Sequence, residues 1–99
     1  MDSIQNPVSL KYDSGKLRYD LIPPEIDKAL AEVLTYGCMK YKENSWQGIE
    51  TKRYYAALIR HLQAWREGEK IDPESGLPHL SHALTNLAFI LFKDNHNIV

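Results

Sequence analysis

The chain has 99 residues, 43% hydrophobic and 25% charged, with 12 basic against 13 acidic side chains and a net charge of −1. That length fits one domain, 1–99, whose core is thin enough to gain from a partner subunit. The charge balance, with a pI near 6.4, offers no basic field for a nucleic-acid polymer. A single cysteine, Cys38, excludes an internal disulfide and fits a reducing compartment. No run of about 20 apolar residues spans a membrane. Residues 1–7 lack the basic-then-apolar order of a signal peptide. These readings place the chain in a cytoplasm.

Residues 1–23 read as an irregular N-terminal arm. Asp13-Ser14-Gly15-Lys16 is a turn signal. Leu17, Tyr19 and Leu21 alternate with Arg18 and Asp20, which suits an extended segment with one buried side. The helical core covers residues 24–92. Its first helix is expected over 24–41, with Ile26, Leu30, Val33, Leu34, Gly37 and Tyr41 in one apolar stripe. Gly37 costs such a helix about 1 kcal/mol and suggests a close approach of another backbone. A loop with Asn44-Ser45-Trp46 leads to a second helix over 51–67, ended by Gly68. Its apolar face carries Tyr54, Leu58, His61, Leu62 and Trp65. A Pro/Gly-rich loop leads to a third helix over 78–92, apolar around most of its circumference and therefore central. Residues 93–99 read as a polar, frayed tail. The fold class is all-α: three main helices and an extended arm, completed by oligomerisation into a dimer or tetramer.

The chemistry gathers on the last two helices. His79, His82 and Asn86 fall at i, i+3 and i+7, on one stripe of an otherwise apolar helix. Such groups need partners, whether each other, the backbone or a ligand. His61 sits similarly on the second helix. The loop between these helices supplies Asp72 and Glu74. Asp72, His79, His82 and Glu32 form a donor set suited to Mg, Mn or Co, or alternatively satisfied core groups and a turn. Glu32, Tyr36 and Lys40 make a second stripe on the first helix, which reads equally as a solvated flank. Lys16, Arg18 and Arg60 are cations of the kind that hold phosphate, although Ser14-Gly15-Lys16 is not a P-loop. Trp46 and Trp65 can stack on a base or serve as packing.

Four segments resemble a known family. They are Lys11-Tyr12-Asp13-Ser14-Gly15-Lys16-Leu17-Arg18-Tyr19-Asp20-Leu21-Ile22-Pro23-Pro24-Glu25; Glu32-Val33-Leu34-Thr35-Tyr36-Gly37 with Lys40-Tyr41; Arg60-His61-Leu62 with Trp65; and Asp72-Pro73-Glu74-Ser75-Gly76-Leu77-Pro78-His79-Leu80 with His82-Ala83 and Asn86. They are similar to the phage-rich dATP/dGTP diphosphohydrolase N-terminal family, which includes MazZ-like enzymes. The resemblance implies a MazG-like, oligomeric helical bundle. It implies a metal-dependent hydrolase converting a purine deoxynucleoside triphosphate, dGTP or dATP, to its monophosphate and pyrophosphate. A phage-encoded chain would act in the host cytoplasm.

One departure stands out. The broader MazG pattern has Glu-x-x-Glu on one helix and Glu-x-x-Asp on the next. Here the corresponding positions hold Arg60-His61 with Ala64-Trp65, and His79-x-x-His82. A His-rich site replaces the carboxylate cage. The expected roles are these: Glu32, Asp72, His79 and His82 on a metal; His61, Glu74 or His79 in catalysis; and Lys16, Arg18, Tyr36, Lys40, Trp46, Arg60, Trp65 and Asn86 on the nucleotide. A non-hydrolysing protein that sequesters a nucleotide immune signal is the alternative.

Overall fold

The computed structural model describes residues 15–98. Three helices carry the fold: α1 (Pro24–Lys40), α2 (Thr51–Arg66) and α3 (His79–Asn95). Two 3-10 turns, Tyr19–Leu21 and Ser45–Gly48, lie between and before them. The fold is all-α, as the periodicity indicates.

The sequence sets several helix boundaries by recognisable devices. Pro24 opens α1, where its missing N–H leaves no bond unmade. Glu25 and Asp27 lie in the first turn of α1 and Lys40 in its last, complementing the helix dipole. Gly68, at φ +103°, takes the left-handed position that closes α2. There its N–H donates to the Trp65 carbonyl and the Glu69 N–H to the Ala64 carbonyl, both at 3.0 Å. At the end of α3, Asn97 adopts the same backbone geometry, φ 54°. The Ile98 N–H then reaches the Lys93 carbonyl at 2.8 Å.

Helix α3 is central, as its all-round apolar character predicts. It packs against both α1 and α2, and among the described residues α1 and α2 do not pack on each other. A cleft therefore opens between them. The core is thin: Tyr54 and Ala83 are the only hydrophobic side chains buried among the described residues.

Four expectations are corrected. The alternating Leu17, Tyr19 and Leu21 do not form an extended strip with a buried side. Tyr19–Leu21 is a 3-10 turn, and all three side chains are exposed. A bidentate ion pair from Arg18 to Asp20, both bonds 2.8 Å, spans two residues and suits this tight turn. The rest of the arm, residues 1–14, lies outside the described residues. Gly37 meets no backbone: nothing lies within 4 Å of where its Cβ would stand, and it lines the cleft instead. Helix α3 continues to Asn95, past the expected end at residue 92. Lys93, assigned to a polar tail, is 2% exposed, because the longer α3 carries its whole side chain under cover.

Candidate functional site

The cleft has a volume of about 1000 Å³ and reaches from α1 across to α2 and α3. One end is aromatic. Trp46, on the second 3-10 turn, stacks on Phe89 at 4.5 Å and meets Phe92 edge-on at 5.0 Å. The Tyr54 hydroxyl donates to the Trp46 carbonyl at 2.5 Å and anchors that turn to α2. Burial raises the Tyr54 pKa to about 12.

The other end is polar, and it is built by the α2–α3 loop. Ile71 and Pro78 bridge as antiparallel partners, and the His79 N–H reaches back to the Lys70 carbonyl at 2.8 Å. Between them a tight turn closes from the Gly76 N–H to the Asp72 carbonyl at 2.8 Å, with Gly76 at φ +75°. This turn folds Asp72 onto Ser75. The Ser75 N–H and hydroxyl both donate to Asp72 Oδ2, at 3.1 and 2.8 Å. Burial alone would raise the Asp72 pKa, but the Ser75 bonds, with the nearby His82 and the Glu74 backbone, together outweigh it and hold the carboxyl below its ordinary value. Ser75 Oγ in turn receives Nε2–H of His82 at 2.6 Å.

His61 lies against the same corner. Its ring stacks on His82, with centroids 4.6 Å apart and planes 10° from parallel. Its Nδ1 is 2.8 Å from Nδ1 of His79, and Nε2 of His79 is 2.7 Å from a Glu69 carboxylate oxygen. Burial lowers the pKa of both His61 and His82 below the ordinary 6.5. The other two imidazoles lower His61 further, whereas Asp72 partly opposes the shift at His82.

The expected site residues divide clearly. His61, Asp72, Glu74, His82, Tyr36, Lys40, Trp46 and Asn86 all line the cleft. Lys40 pairs with Glu74 across the loop, and this partner raises its pKa. Asn86 is buried and donates to the His82 carbonyl at 2.8 Å. His79 is buried behind the cleft wall, in contact with His61. Lys16, Arg18, Arg60 and Trp65 do not line the cleft. Glu32 lines a separate hollow with Thr35, Met39 and Leu77.

The four side chains expected on a metal, Glu32, Asp72, His79 and His82, are thus not brought together. Among the described residues no group of three or more His, Cys, Asp or Glu side chains is arranged to hold a metal ion. Several of their donor atoms have partners elsewhere: Asp72 Oδ2 and His82 Nε2 bond Ser75, and both nitrogens of His79 are taken by Glu69 and His61. As placed, this set does not fit a resident metal.

Sequence reasoning passed over Ser75 and Glu69. Ser75 was detectable, since Asp-x-x-Ser is a pattern in which the carboxylate captures the later N–H and hydroxyl. Glu69 carried no local signal.

The sequence matches the family described as dATP/dGTP diphosphohydrolase, N-terminal, over residues 7–98. A dATP/dGTP diphosphohydrolase of Salmonella phage PMBT28 is 36% identical over 87 residues, 88% of this chain and 30% of the relative. The chain thus spans under a third of that relative's length. No solved structure matches.

Proposed function

We propose, for a chain that belongs to the dATP/dGTP diphosphohydrolase N-terminal family, that the cleft binds a purine deoxynucleoside triphosphate and hydrolyses it to the monophosphate and pyrophosphate. The observation that carries this reading is the polarity of one cleft. Its aromatic end suits a base, and its polar end gathers imidazoles, carboxylates and a lysine. Trp46 supplies a flat apolar surface of the kind on which purines stack. Lys40, Tyr36 and Asn86 line the path toward the imidazoles and suit phosphate oxygens. His61, neutral near pH 7 because burial disfavours its charged form, suits a general base.

Divalent metal (Mg, Mn or Co) belongs to this proposal as the counter-ion of the triphosphate, entering with it as part of the substrate. No step is assigned to it. Homo-oligomerisation into a dimer or tetramer belongs to the proposal too. Leu80, Leu87 and Leu91 stand exposed along α3, and Ile59 and Leu62 along α2. Two helix faces of this kind are what a thin-cored protomer covers with a second copy. No helix among the described residues is long and apolar enough to cross a membrane. The host cytoplasm, where nucleotides are found, is the proposed location, with phage origin suggested by the relative's source.

The test is incubation with dGTP, dATP and the ribonucleotides, with divalent metal or with chelator, followed by chromatography of the products. Monophosphate and pyrophosphate in equal amounts, reduced about 100-fold or more in His61→Gln, are expected. Stoichiometric retention of intact nucleotide without turnover would replace this reading with sequestration.

A further inference from the structure

We infer that Glu69, outside the cleft, fixes the tautomer of His61 through His79, so that His61 presents a bare Nε2 to the cleft as a hydrogen-bond acceptor. The chain of contacts is continuous. Glu69 Oε1 is 2.7 Å from His79 Nε2, and His79 Nδ1 is 2.8 Å from His61 Nδ1.

Proton placement follows from what each atom can do. A carboxylate only accepts, so His79 Nε2 carries a hydrogen. In a neutral imidazole the other nitrogen is then an acceptor, so His79 Nδ1 is bare. The 2.8 Å contact between the two Nδ1 atoms needs one donor, and only His61 can supply it. His61 therefore carries its hydrogen on Nδ1 and leaves Nε2 bare. That nitrogen has no hydrogen-bond partner among the described residues, and His61 lines the cleft. Burial favours the neutral form of His61 and of His82. His79 is 5% exposed and His82 8%, and His61 lies stacked on His82.

The loop makes the contact possible. Gly68 turns the chain at the end of α2, so Glu69 doubles back toward the first turn of α3, where His79 stands. Glu69 keeps a side chain 55% exposed, so the far end of the relay is open to water. An imidazole pair, buried at His79 and half-buried at His61, is thereby connected to solvent on the side away from the cleft.

The consequence for chemistry rests on the hydrolytic reading; the tautomer itself does not. As a water oxygen bonds to the α-phosphorus, the phosphorus–oxygen bond to pyrophosphate breaks. The water proton passes to His61 Nε2. His61 Nδ1 releases its own proton to His79 Nδ1, and His79 Nε2 releases one to the Glu69 carboxylate. Charge thus leaves the imidazole cluster instead of accumulating there. Glu69 and His79 are positioning residues in this scheme, and His61 alone meets the reacting atoms.

The test is ring-nitrogen NMR on full-length chain carrying 15N-histidine. His61 is expected with hydrogen on Nδ1 and bare Nε2, and His79 with the reverse. Glu69→Gln, whose amide oxygen still accepts, retains both patterns. Glu69→Ala loses them, with His61 shifting toward the Nε2–H form. Wild-type His61 already in the Nε2–H form would overturn the inference, as would an unchanged spectrum in Glu69→Ala or an alanine-like spectrum in Glu69→Gln. These spectra need no turnover, so they stand apart from the test of hydrolysis. Where turnover is measured, Glu69→Ala is expected to lower kcat and leave KM unchanged. An unchanged kcat would remove the relay from water activation.

Discussion

Ser75→Ala should destabilise the protein well beyond what a half-exposed loop serine ordinarily contributes. Ser75 Oγ donates to Asp72 Oδ2 at 2.8 Å, receives His82 Nε2–H at 2.6 Å and receives the Leu77 N–H at 3.2 Å. A hydrogen bond to a charged acceptor contributes about 1.5–3 kcal/mol, and a neutral one about 1 kcal/mol. Asp72 retains the Ser75 N–H at 3.1 Å, so its carboxylate is not stripped of donors. The charged bond at its lower bound, with the His82 bond, gives a loss of about 2.5 kcal/mol. At about 4–8 °C per kcal/mol for a domain of this size, the melting midpoint falls by about 10–20 °C. Thermal circular dichroism at one fixed protein concentration reads this directly, since association makes the midpoint concentration-dependent. The pH dependence adds a signature. The folded Asp72 pKa is depressed, so its contribution is present above the ordinary carboxylate value of about 3.9 and is lost as pH falls through the folded value. The gap between variant and wild type should therefore be wide at pH 7 and shrink as pH falls below about 3.9. A midpoint shift under about 3 °C at pH 7 would refute the claim that Ser75 holds this corner together.

Other expectations concern the cleft and the exposed faces. Trp46→Ala removes the Phe89 stack and the Phe92 edge contact. It should cost about 3 kcal/mol in denaturant titration and weaken purine nucleotide binding about tenfold in calorimetry. His61 and His82 have folded pKa values below 6.5, so the unfolded chain binds protons first on acidification. The stability they contribute is complete above about pH 6.5 and falls as pH drops toward the folded values. Denaturation midpoints from pH 7.5 to 5 should show this decline, and it should flatten in a His61→Gln, His82→Gln double variant. Leu87→Lys, on the exposed α3 stripe, should shift sedimentation from oligomer to monomer. A wild-type monomer at micromolar concentration would remove the oligomer from the account.

The helices were legible because their signals are local. Proline and glycine mark their ends, and the apolar stripes repeat at helical spacing. The centrality of α3 followed from apolar residues on every side of it. His61, His79 and His82 were likewise visible as imidazoles on apolar faces. The contacts that organise them were not. Glu69 reaches His79 only because Gly68 reverses the chain, and that geometry depends on tertiary placement of α3. Glu32 shares a stripe with Tyr36 on α1, yet Tyr36 reaches both the cleft and the second hollow whereas Glu32 lines the second hollow and not the cleft. Spacing ranks residues by helix face, but it does not fix how α1 is rotated against α3. Lys93 went unrecognised as a covered residue because polarity alone does not reveal burial.

The central claim is that one cleft binds a purine deoxynucleoside triphosphate and cuts it between its α- and β-phosphates. Phosphorus NMR of dGTP and dATP with the full-length chain and magnesium tests it most directly. Monophosphate and pyrophosphate resonances should grow together, about 100-fold or more slowly in His61→Gln, which still binds nucleotide. Orthophosphate with nucleoside diphosphate, or unaltered triphosphate bound one to one, would contradict it.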